Sequence, residues 1–174
     1  RTFTGRVGRT FAGSEPAWPA RVTAPAGAPD VLVILVDDLG FADVGCFGSE
    51  IATPHLDALA ARGLRWGSFH TAPMCSPTRA SLMTGLHPHA AGFGLVANTD
   101  PGFPGYTMEL AHDVQTLPEI FRANGYATAM VGKWHLSREA DNHDGGSRHS
   151  WPLQRGFDRF YGFLEGSTSS HHPP

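Results

Sequence analysis

The pattern of apolar and polar positions changes abruptly at residue 30. Residues 31–36 are aliphatic without interruption, and two carboxylates, Asp37 and Asp38, follow them directly. A short continuous apolar run between polar segments is typical of a strand that is buried on both faces of a parallel sheet. The pattern therefore predicts a central strand over residues 31–36 that ends at a pair of acidic side chains.

Helix start signals follow in three places. Thr53, Ser76 and Thr116 each combine a capping hydroxyl with a proline one or two residues later. These signals predict one helix over residues 54–62, a second from residue 76 onward, and a third that ends near the glycine at position 125.

A second, weaker strand over residues 64–69 and a third strand over residues 126–131 alternate with these helices. The alternation favours βαβ units and therefore an α/β fold of three layers with a mainly parallel sheet. Residues 85–114 are rich in Gly and Pro and have no clear period, which predicts a long loop. Residues 1–29, rich in Gly, Ala and Pro, are expected to form an extended arm ahead of a domain over residues 30–174.

Composition argues against two classes of function. The 174 residues include 13 basic and 16 acidic side chains, and the formal charge of -3 disfavours a nucleic-acid partner. The longest aliphatic run is far shorter than the roughly 20 residues that cross a bilayer, so no membrane span is expected. Two cysteines, Cys46 and Cys75, are too few for a disulfide framework or a four-cysteine zinc site. The sequence does not indicate a cellular compartment.

Reactive side chains fall at the carboxyl ends of two predicted strands. Asp37 and Asp38 carry the oxygen ligands that Ca²⁺ or Mg²⁺ prefers, although an acidic pair before glycine is equally typical of a turn. Lys133 is the only lysine, and with His135 it follows the strand predicted over residues 126–131. An ammonium group and an imidazole can neutralise an anion and transfer a proton.

A third reactive group, Cys75, directly precedes the predicted helix cap. Free backbone N–H groups at a helix start favour an anion, and Arg79 on the first turn is able to fold back over the same position. The pattern fits a site for an oxyanion ester, and it also fits a buried structural cysteine. Because ligands of α/β proteins bind beyond the carboxyl ends of the strands, we expect all three groups at one edge of the sheet.

Four motifs, taken in their order and spacing, resemble those of the sulfatase family, particularly bacterial arylsulfatases. They are Asp37-Asp38-Leu39-Gly40, Thr53-Pro54-His55-Leu56-Asp57, Cys75-Ser76-Pro77-Thr78-Arg79 and Gly132-Lys133-Trp134-His135-Leu136. The resemblance covers residues 30 to about 165. It implies a three-layer, alkaline-phosphatase-like fold with a mainly parallel central sheet. Because family members run to several hundred residues, residues 30–174 are expected to be an incomplete, N-terminal part of the catalytic domain.

The resemblance also implies a chemistry. Cys75, Pro77 and Arg79 match the family's maturation pattern, so a maturation enzyme is expected to oxidise Cys75 to formylglycine. One hydroxyl of the formylglycine hydrate attacks the sulfur of a small-molecule sulfate ester and expels the alcohol. Loss of a proton from the second hydroxyl then releases sulfate and restores the aldehyde.

Each candidate side chain receives a role from the same resemblance. Asp37, Asp38 and the modified residue 75 are expected to bind a divalent cation, Ca²⁺ with Mg²⁺ as the alternative. Arg79 is expected to hold the hydrate. Lys133 and His135 are expected to hold the sulfate oxygens and the second hydroxyl, respectively. Further metal and sulfate ligands of the family lie later in its sequences, so residues 1–174 alone are expected to be inactive or nearly so.

Two other functions stay open at this point. Phosphate and phosphonate esters are tetrahedral oxyanions of similar size, and the matched residues do not separate a hydrolase of these esters from a sulfatase. A non-catalytic anion-binding module would keep the fold without modification of Cys75, although the intact maturation pattern argues against it.

Overall fold

The computed structural model describes residues 3–18, 23–169 and 171, so residues 1, 2 and 19–22 of the predicted arm lie outside the described residues. Three α-helices and two β-strands form within the described part. They are α1 (Pro54–Arg62), α2 (Cys75–Thr84), α3 (Leu117–Ala123), β1 (Ala129–Lys133) and β2 (Arg159–Phe163). Short 3₁₀ helices occupy parts of the connecting segments. The three predicted helices are therefore confirmed, and the long loop over residues 85–114 contains no helix or strand.

The start of α2 differs from the prediction by one residue. Met74 has the extended backbone of an N-cap, with φ -145° and ψ 156°, and Cys75 is the first helical residue. The expectation that Ser76 caps this helix is wrong, because its hydroxyl instead accepts the backbone N–H of Ala97 at 3.1 Å. This bond ties the buried start of α2 to the long loop.

The sheet consists of one parallel pair. Strand β1 runs beside β2 with Ala129 opposite Arg159 and Lys133 opposite Phe163. The strand predicted over residues 126–131 begins and ends later than expected, and β2 is not predicted from the sequence. The parallel pair and the three α-helices are consistent with an incomplete part of the expected α/β architecture.

Two predicted strands are absent. Neither residues 31–36 nor residues 64–69 are in a strand, and both segments are exposed rather than buried. Ile34, for example, is 69% exposed although it lies in the most apolar run of the chain. A strand requires a neighbour that pairs with its backbone N–H and C=O groups. No described residue provides that neighbour for either segment.

The core surrounds the residues that follow β1. Trp134 and Leu136 are fully buried and belong to one cluster with Phe93, Met108 and Leu110 of the long loop. The indole Nε1 of Trp134 donates a hydrogen bond of 2.8 Å to the carbonyl of a buried serine, Ser150. Because the side chains of Trp134 and Leu136 lie in the core, Lys133 and His135 are left to face the candidate active site described below.

The N-terminal segment contains more structure than an extended arm. Arg6 and Glu15 form an isolated antiparallel bridge, and their side chains form an ion pair of 3.1 Å. The N–H of Ala24 donates to the carbonyl of Gly125 after α3 at 3.1 Å. The division at residues 29 and 30 stays a prediction. In the described part of the chain, no helix is long and apolar enough to cross a membrane.

Replacement of Ser150 by alanine tests the connection between the long loop and β1. The Ser150 hydroxyl accepts the N–H of Leu110 at 2.9 Å and donates to the carbonyl of Leu136 at 2.6 Å. Ser150→Ala leaves both groups buried without this partner, so the free energy of unfolding should fall by about 1–3 kcal/mol. Chemical denaturation measures the change. Ser68→Ala, at an exposed serine, is the control and should stay within about 0.5 kcal/mol; an equal loss in both variants contradicts the prediction.

Candidate active site

The candidate side chains arrive from three elements. Lys133 is the last residue of β1, and His135 follows two residues later. Cys75 opens α2, and Arg79 lies one turn further along that helix. Asp37 directly follows the exposed apolar segment over residues 31–36. These parts of the chain meet at the carboxyl end of β1, which is the edge expected from the sequence.

Asp37 lies between two cations. Lys133 Nζ donates to Asp37 Oδ2 at 2.8 Å, and Arg79 Nη2 lies 3.7 Å from Asp37 Oδ1. Arg79 Nη1 also donates to the backbone carbonyl of Lys133 at 2.5 Å. The two cationic side chains are only 10% and 9% exposed, whereas that of Asp37 is 43% exposed. The site therefore concentrates positive charge around one accessible carboxylate.

The electrostatic effect on each partner follows from its surroundings. The hydrogen bond from Lys133 is the largest influence on the pKa of Asp37 and lowers it. Burial opposes this shift, and the charges of Lys133 and Arg79 lower the pKa further. Burial lowers the pKa of Arg79, although Asp37 opposes that shift. A guanidinium remains protonated at neutral pH despite such a shift, so Arg79 stays a cation.

Cys75 and His135 form the second contact of the site. Cys75 Sγ lies 3.2 Å from His135 Nδ1, across 60 positions of sequence. Burial lowers the pKa of His135 to about 4, and the charges of Lys133 and Arg79 contribute further. The imidazole is therefore neutral at pH 7 and is able to accept a proton or a hydrogen bond from a group at position 75.

The buried Nε atom of Arg79 has no hydrogen-bond partner among the described residues, although Arg79 is only 7% exposed. Buried guanidinium donors are normally satisfied, so an unpaired one needs an explanation. Arg79 lines a cavity of about 280 Å³ together with Asp37, Asp38 and Cys75. The Nε atom itself is not accessible from this cavity, whereas the charge of the guanidinium borders it and favours an anion there.

Asp38 lines the same cavity from a turn, where its φ is 53°. The carboxylate oxygens of Asp37 and Asp38 are the donor type that a hard cation prefers. The described residues include no group of three or more His, Cys, Asp or Glu side chains arranged to hold a metal ion. The donor chemistry therefore fits Ca²⁺ or Mg²⁺, whereas the described ligand set is incomplete.

Sequence reasoning missed the loop after β2. The N–H groups of Trp134 and His135 donate to the carbonyls of Phe163 and Leu164, both at 3.0 Å, which extends the strand pairing beyond β1. A Cβ atom at Gly166 would lie only 2.8 Å from Cε1 of His135, so the glycine permits the loop to pack against the imidazole. The aromatic residues of β2 followed by glycine were the available signal.

Comparison with known proteins decides the family. Residues 29–174 match the family model described as Sulfatase. The chain belongs to the sulfatase family.

This sulfatase chain has relatives in fungi and bacteria. It is 43% identical over 150 residues to an uncharacterized sulfatase of Schizosaccharomyces pombe, which covers 82% of this chain and 26% of the relative. It is 40% identical over 143 residues to an arylsulfatase of Klebsiella aerogenes, with 81% of this chain and 29% of the relative covered. The solved structure of Ps i-CgsB is similar with a TM-score of 0.57 and 34% identity, over 75% of this chain and 27% of that chain.

The sulfatase chain therefore spans less than a third of the length of these relatives. The matches establish the family and agree with the expected α/β architecture. The catalytic and metal-binding roles of Asp37, Asp38, Cys75, Arg79, Lys133 and His135 stay predictions.

Replacement of Asp37 tests the charge arrangement of the sulfatase site. With a chelator present, Asp37→Asn removes the anion that faces both Lys133 and Arg79. The free energy of unfolding should fall by about 1–3 kcal/mol, less than for a fully buried pair because Asp37 is partly exposed. Chemical denaturation provides the measurement. The matched control is Asp38→Asn, since Asp38 has no ion-pair partner among the described residues, and equal effects of the two substitutions would contradict the arrangement.

Proposed function

We propose that this chain is the N-terminal part of a sulfatase catalytic domain that hydrolyses small-molecule sulfate esters. The observation that carries the proposal is the convergence of Cys75, His135, Lys133 and Arg79 at one end of β1. A nucleophile position, a neutral base and two cations within one site are the components that sulfuryl transfer to water requires. Membership of the sulfatase family supports this assignment.

Cys75 is proposed to act only after oxidation to formylglycine by a maturation enzyme. Two features support this assignment: the pattern of Cys75, Pro77 and Arg79 is intact, and Cys75 is the first residue of a ten-residue helix. Cys75 Sγ lies 3.2 Å from His135 Nδ1, so a modified side chain at position 75 would lie next to a neutral imidazole. In hydrated form the aldehyde supplies a hydroxyl group as the nucleophile.

Lys133 is proposed to bind the sulfate oxygens, and Arg79 is proposed to hold the hydrate at residue 75. A lysine ammonium has three N–H donors, and Asp37 is its only partner among the described residues. Two donors of Lys133 therefore remain for an anion. Arg79 lines the same cavity as Cys75 and adds a positive charge that burial leaves poorly screened. His135 is proposed to accept the proton of the second hydroxyl, because its imidazole is neutral at pH 7.

Asp37, Asp38 and the modified residue 75 are proposed to hold Ca²⁺, with Mg²⁺ as the alternative. When bound, the cation lowers the pKa of a hydroxyl and polarises the sulfate group. Ca²⁺ takes about six to eight oxygen ligands, more than these three residues supply. The proposal therefore assigns the remaining ligands to parts of the protein outside residues 1–174, and we expect this portion alone to be inactive or nearly so.

Two observations support assignment to a longer domain. The chain spans less than a third of the relatives that it matches. Residues 31–36 are also continuously apolar yet exposed, and Leu32 reaches 83% exposure. A contiguous exposed apolar segment of this kind normally packs against another part of the protein. An additional strand beside residues 31–36 would restore the central strand that the sequence pattern predicts.

The state of residue 75 is the first test. Mass spectrometry of the peptide that carries residue 75, from protein made in its native host, should show an aldehyde in place of the thiol-bearing side chain. Cys75→Ala in the complete enzyme should abolish turnover of an aryl sulfate because it removes the nucleophile. The matched control is Cys46→Ala, which should retain turnover. A thiol at position 75 in an active preparation contradicts the proposed nucleophile.

Removal of divalent cations is the second test. A chelator should abolish turnover of p-nitrophenyl sulfate by the complete enzyme, and Ca²⁺ should restore it. Asp38→Asn should raise the Ca²⁺ concentration needed for half-maximal turnover by more than about tenfold, because it removes one charged ligand. Asp113→Asn, at an exposed carboxylate, is the control.

The same assay separates sulfate from phosphorus esters. Turnover of p-nitrophenyl sulfate should exceed that of p-nitrophenyl phosphate and of the corresponding phosphonate ester. Faster turnover of either phosphorus ester would assign the protein to phosphate or phosphonate ester hydrolysis. Sulfate binding that is the same with and without Cys75 and is accompanied by no turnover would indicate a binding module.

A further inference from the structure

Thr78 has no role in the reaction proposed above, although it lies inside the motif over residues 75–79. It follows Cys75 by three positions and precedes Arg79 by one on α2. Residues three and four positions apart share one face of a helix. Cys75, Thr78 and Arg79 accordingly all line the cavity of about 280 Å³. Thr78 is therefore a neighbour of the proposed nucleophile on the wall of the same cavity.

Both polar groups of Thr78 donate to residues that precede Cys75. Thr78 Oγ1 donates to the backbone carbonyl of Ala72 at 2.7 Å, across six positions of sequence. The backbone N–H of Thr78 donates to the carbonyl of Met74 at 3.2 Å. Thr78 thus closes the chain into a loop that contains the nucleophile position.

The segment over residues 71–74 leads directly into Cys75 and lines the same cavity. It belongs to no helix or strand. Among the described residues, the two bonds from Thr78 are the only hydrogen bonds that this segment makes. Pro73 has no backbone N–H with which to form another. The position of residues 71–74, and of the side chain that follows them, therefore depends on Thr78.

We propose that Thr78 is a positioning residue for the nucleophile. Its hydroxyl, bound to the carbonyl of Ala72, holds residues 71–74 and the side chain at position 75 in the orientation that attack on sulfur requires. The inference rests on the proposed function, because it assumes that the modified residue 75 attacks a sulfate ester. The attacking group must reach a sulfate held by Lys133 while it stays beside His135, whose Nδ1 lies 3.2 Å from Cys75 Sγ. A displacement of about 1 Å at a reacting group can lower the rate by about a hundredfold.

Thr84, near the other end of α2, makes a similar bond that does not reach the site. Its hydroxyl donates to the carbonyl of Ala80 at 2.7 Å, within the helix. Both threonines are half-buried, but Thr84 is not among the described residues that line the cavity. The bond of Thr78 leaves the helix, whereas that of Thr84 stays inside it. Thr84 therefore provides a matched control for the loss of a threonine hydroxyl from α2.

The test uses Thr78→Val, which keeps the shape of the side chain without its hydroxyl, and Thr78→Ser, which keeps the hydroxyl. The kcat/KM for p-nitrophenyl sulfate is measured in the complete enzyme and divided by the fraction of molecules with an aldehyde at position 75, determined by mass spectrometry. Thr78→Val should lower this value by about tenfold or more, and Thr78→Ser by less than about threefold. Thr84→Val should stay within about threefold of the wild type, because its bond does not reach the cavity.

The inhibition constant of inorganic sulfate separates positioning from a general loss of structure. Sulfate binds without being attacked, so its inhibition constant in Thr78→Val should change by less than about threefold. Losses of turnover and sulfate affinity of equal size overturn the inference, because they indicate a purely structural role. Thr78→Ala, which also lacks the hydroxyl, should show the same pattern and replaces Thr78→Val if a thermal melting curve shows that the valine variant does not fold.

Three further outcomes are decisive. Wild-type kcat/KM in Thr78→Val, or an equal loss in Thr84→Val, overturns the inference alone. Absence of the aldehyde from both variants that lack the hydroxyl also overturns it, since Thr78 would then serve maturation. If a wild type that carries the aldehyde hydrolyses no sulfate ester, the proposed function fails, and the inference fails with it.

Discussion

The parallel pairing of β1 with β2 is the constraint on which the rest of the site depends. The ladder continues past both strands, so that the N–H groups of Trp134 and His135 are still bound to the neighbouring segment. The buried side chain of Trp134 holds that extension against the core. The position of His135 at the carboxyl end of β1 is fixed as a result. Lys133, one position before Trp134, is fixed by the same register. A shift of one residue would exchange the buried and site-facing side chains.

Charge, rather than shape, distinguishes the cavity at this edge. Two nearly buried cations face one carboxylate that is partly open to solvent, and the helix α2 begins at the same place with its free N–H groups. A low-dielectric environment strengthens each of these interactions with a bound oxyanion. Burial is the main reason that the pKa of His135 is low and its imidazole neutral at pH 7, and the charges of Lys133 and Arg79 act in the same direction. Burial and positive charge thus act together on this side chain.

Local signals predicted the helices well, whereas the strands depended on partners. A proline in the first turn acts locally, so α1 and α3 could be located from sequence alone, although the hydroxyls of Thr53 and Thr116 make no side-chain cap bond. Residues 31–36 have the composition of a central strand, but backbone pairing is non-local and no described segment supplies it. β2 was missed for the converse reason: its sequence is short and contains Gly162, while its partner lies 30 positions earlier.

The candidate site was foreseen more completely than its surroundings. Asp37 and Lys133 each follow a predicted strand, and Cys75 directly precedes a predicted helix. In a parallel α/β sheet these positions lie at the carboxyl ends of the strands, so the sequence placed all three residues at one edge. The tertiary role of Ser76, whose hydroxyl binds a residue 21 positions away, has no local signature. The packing of Gly166 on His135 has none either, because it arises from the ladder and not from spacing along the chain.

The backbone conformations of Asp38 and His135 limit which residues evolution can place there. Both have positive φ, 53° and 56°, in a region that most side chains avoid and that Asp, Asn and His enter more readily than others. At these two positions the residue types that suit a cation ligand and a proton acceptor are also among those that the chain geometry tolerates. Drift toward β-branched or bulky residues is therefore opposed twice, once by chemistry and once by conformation, even in a descendant that no longer needs the chemistry.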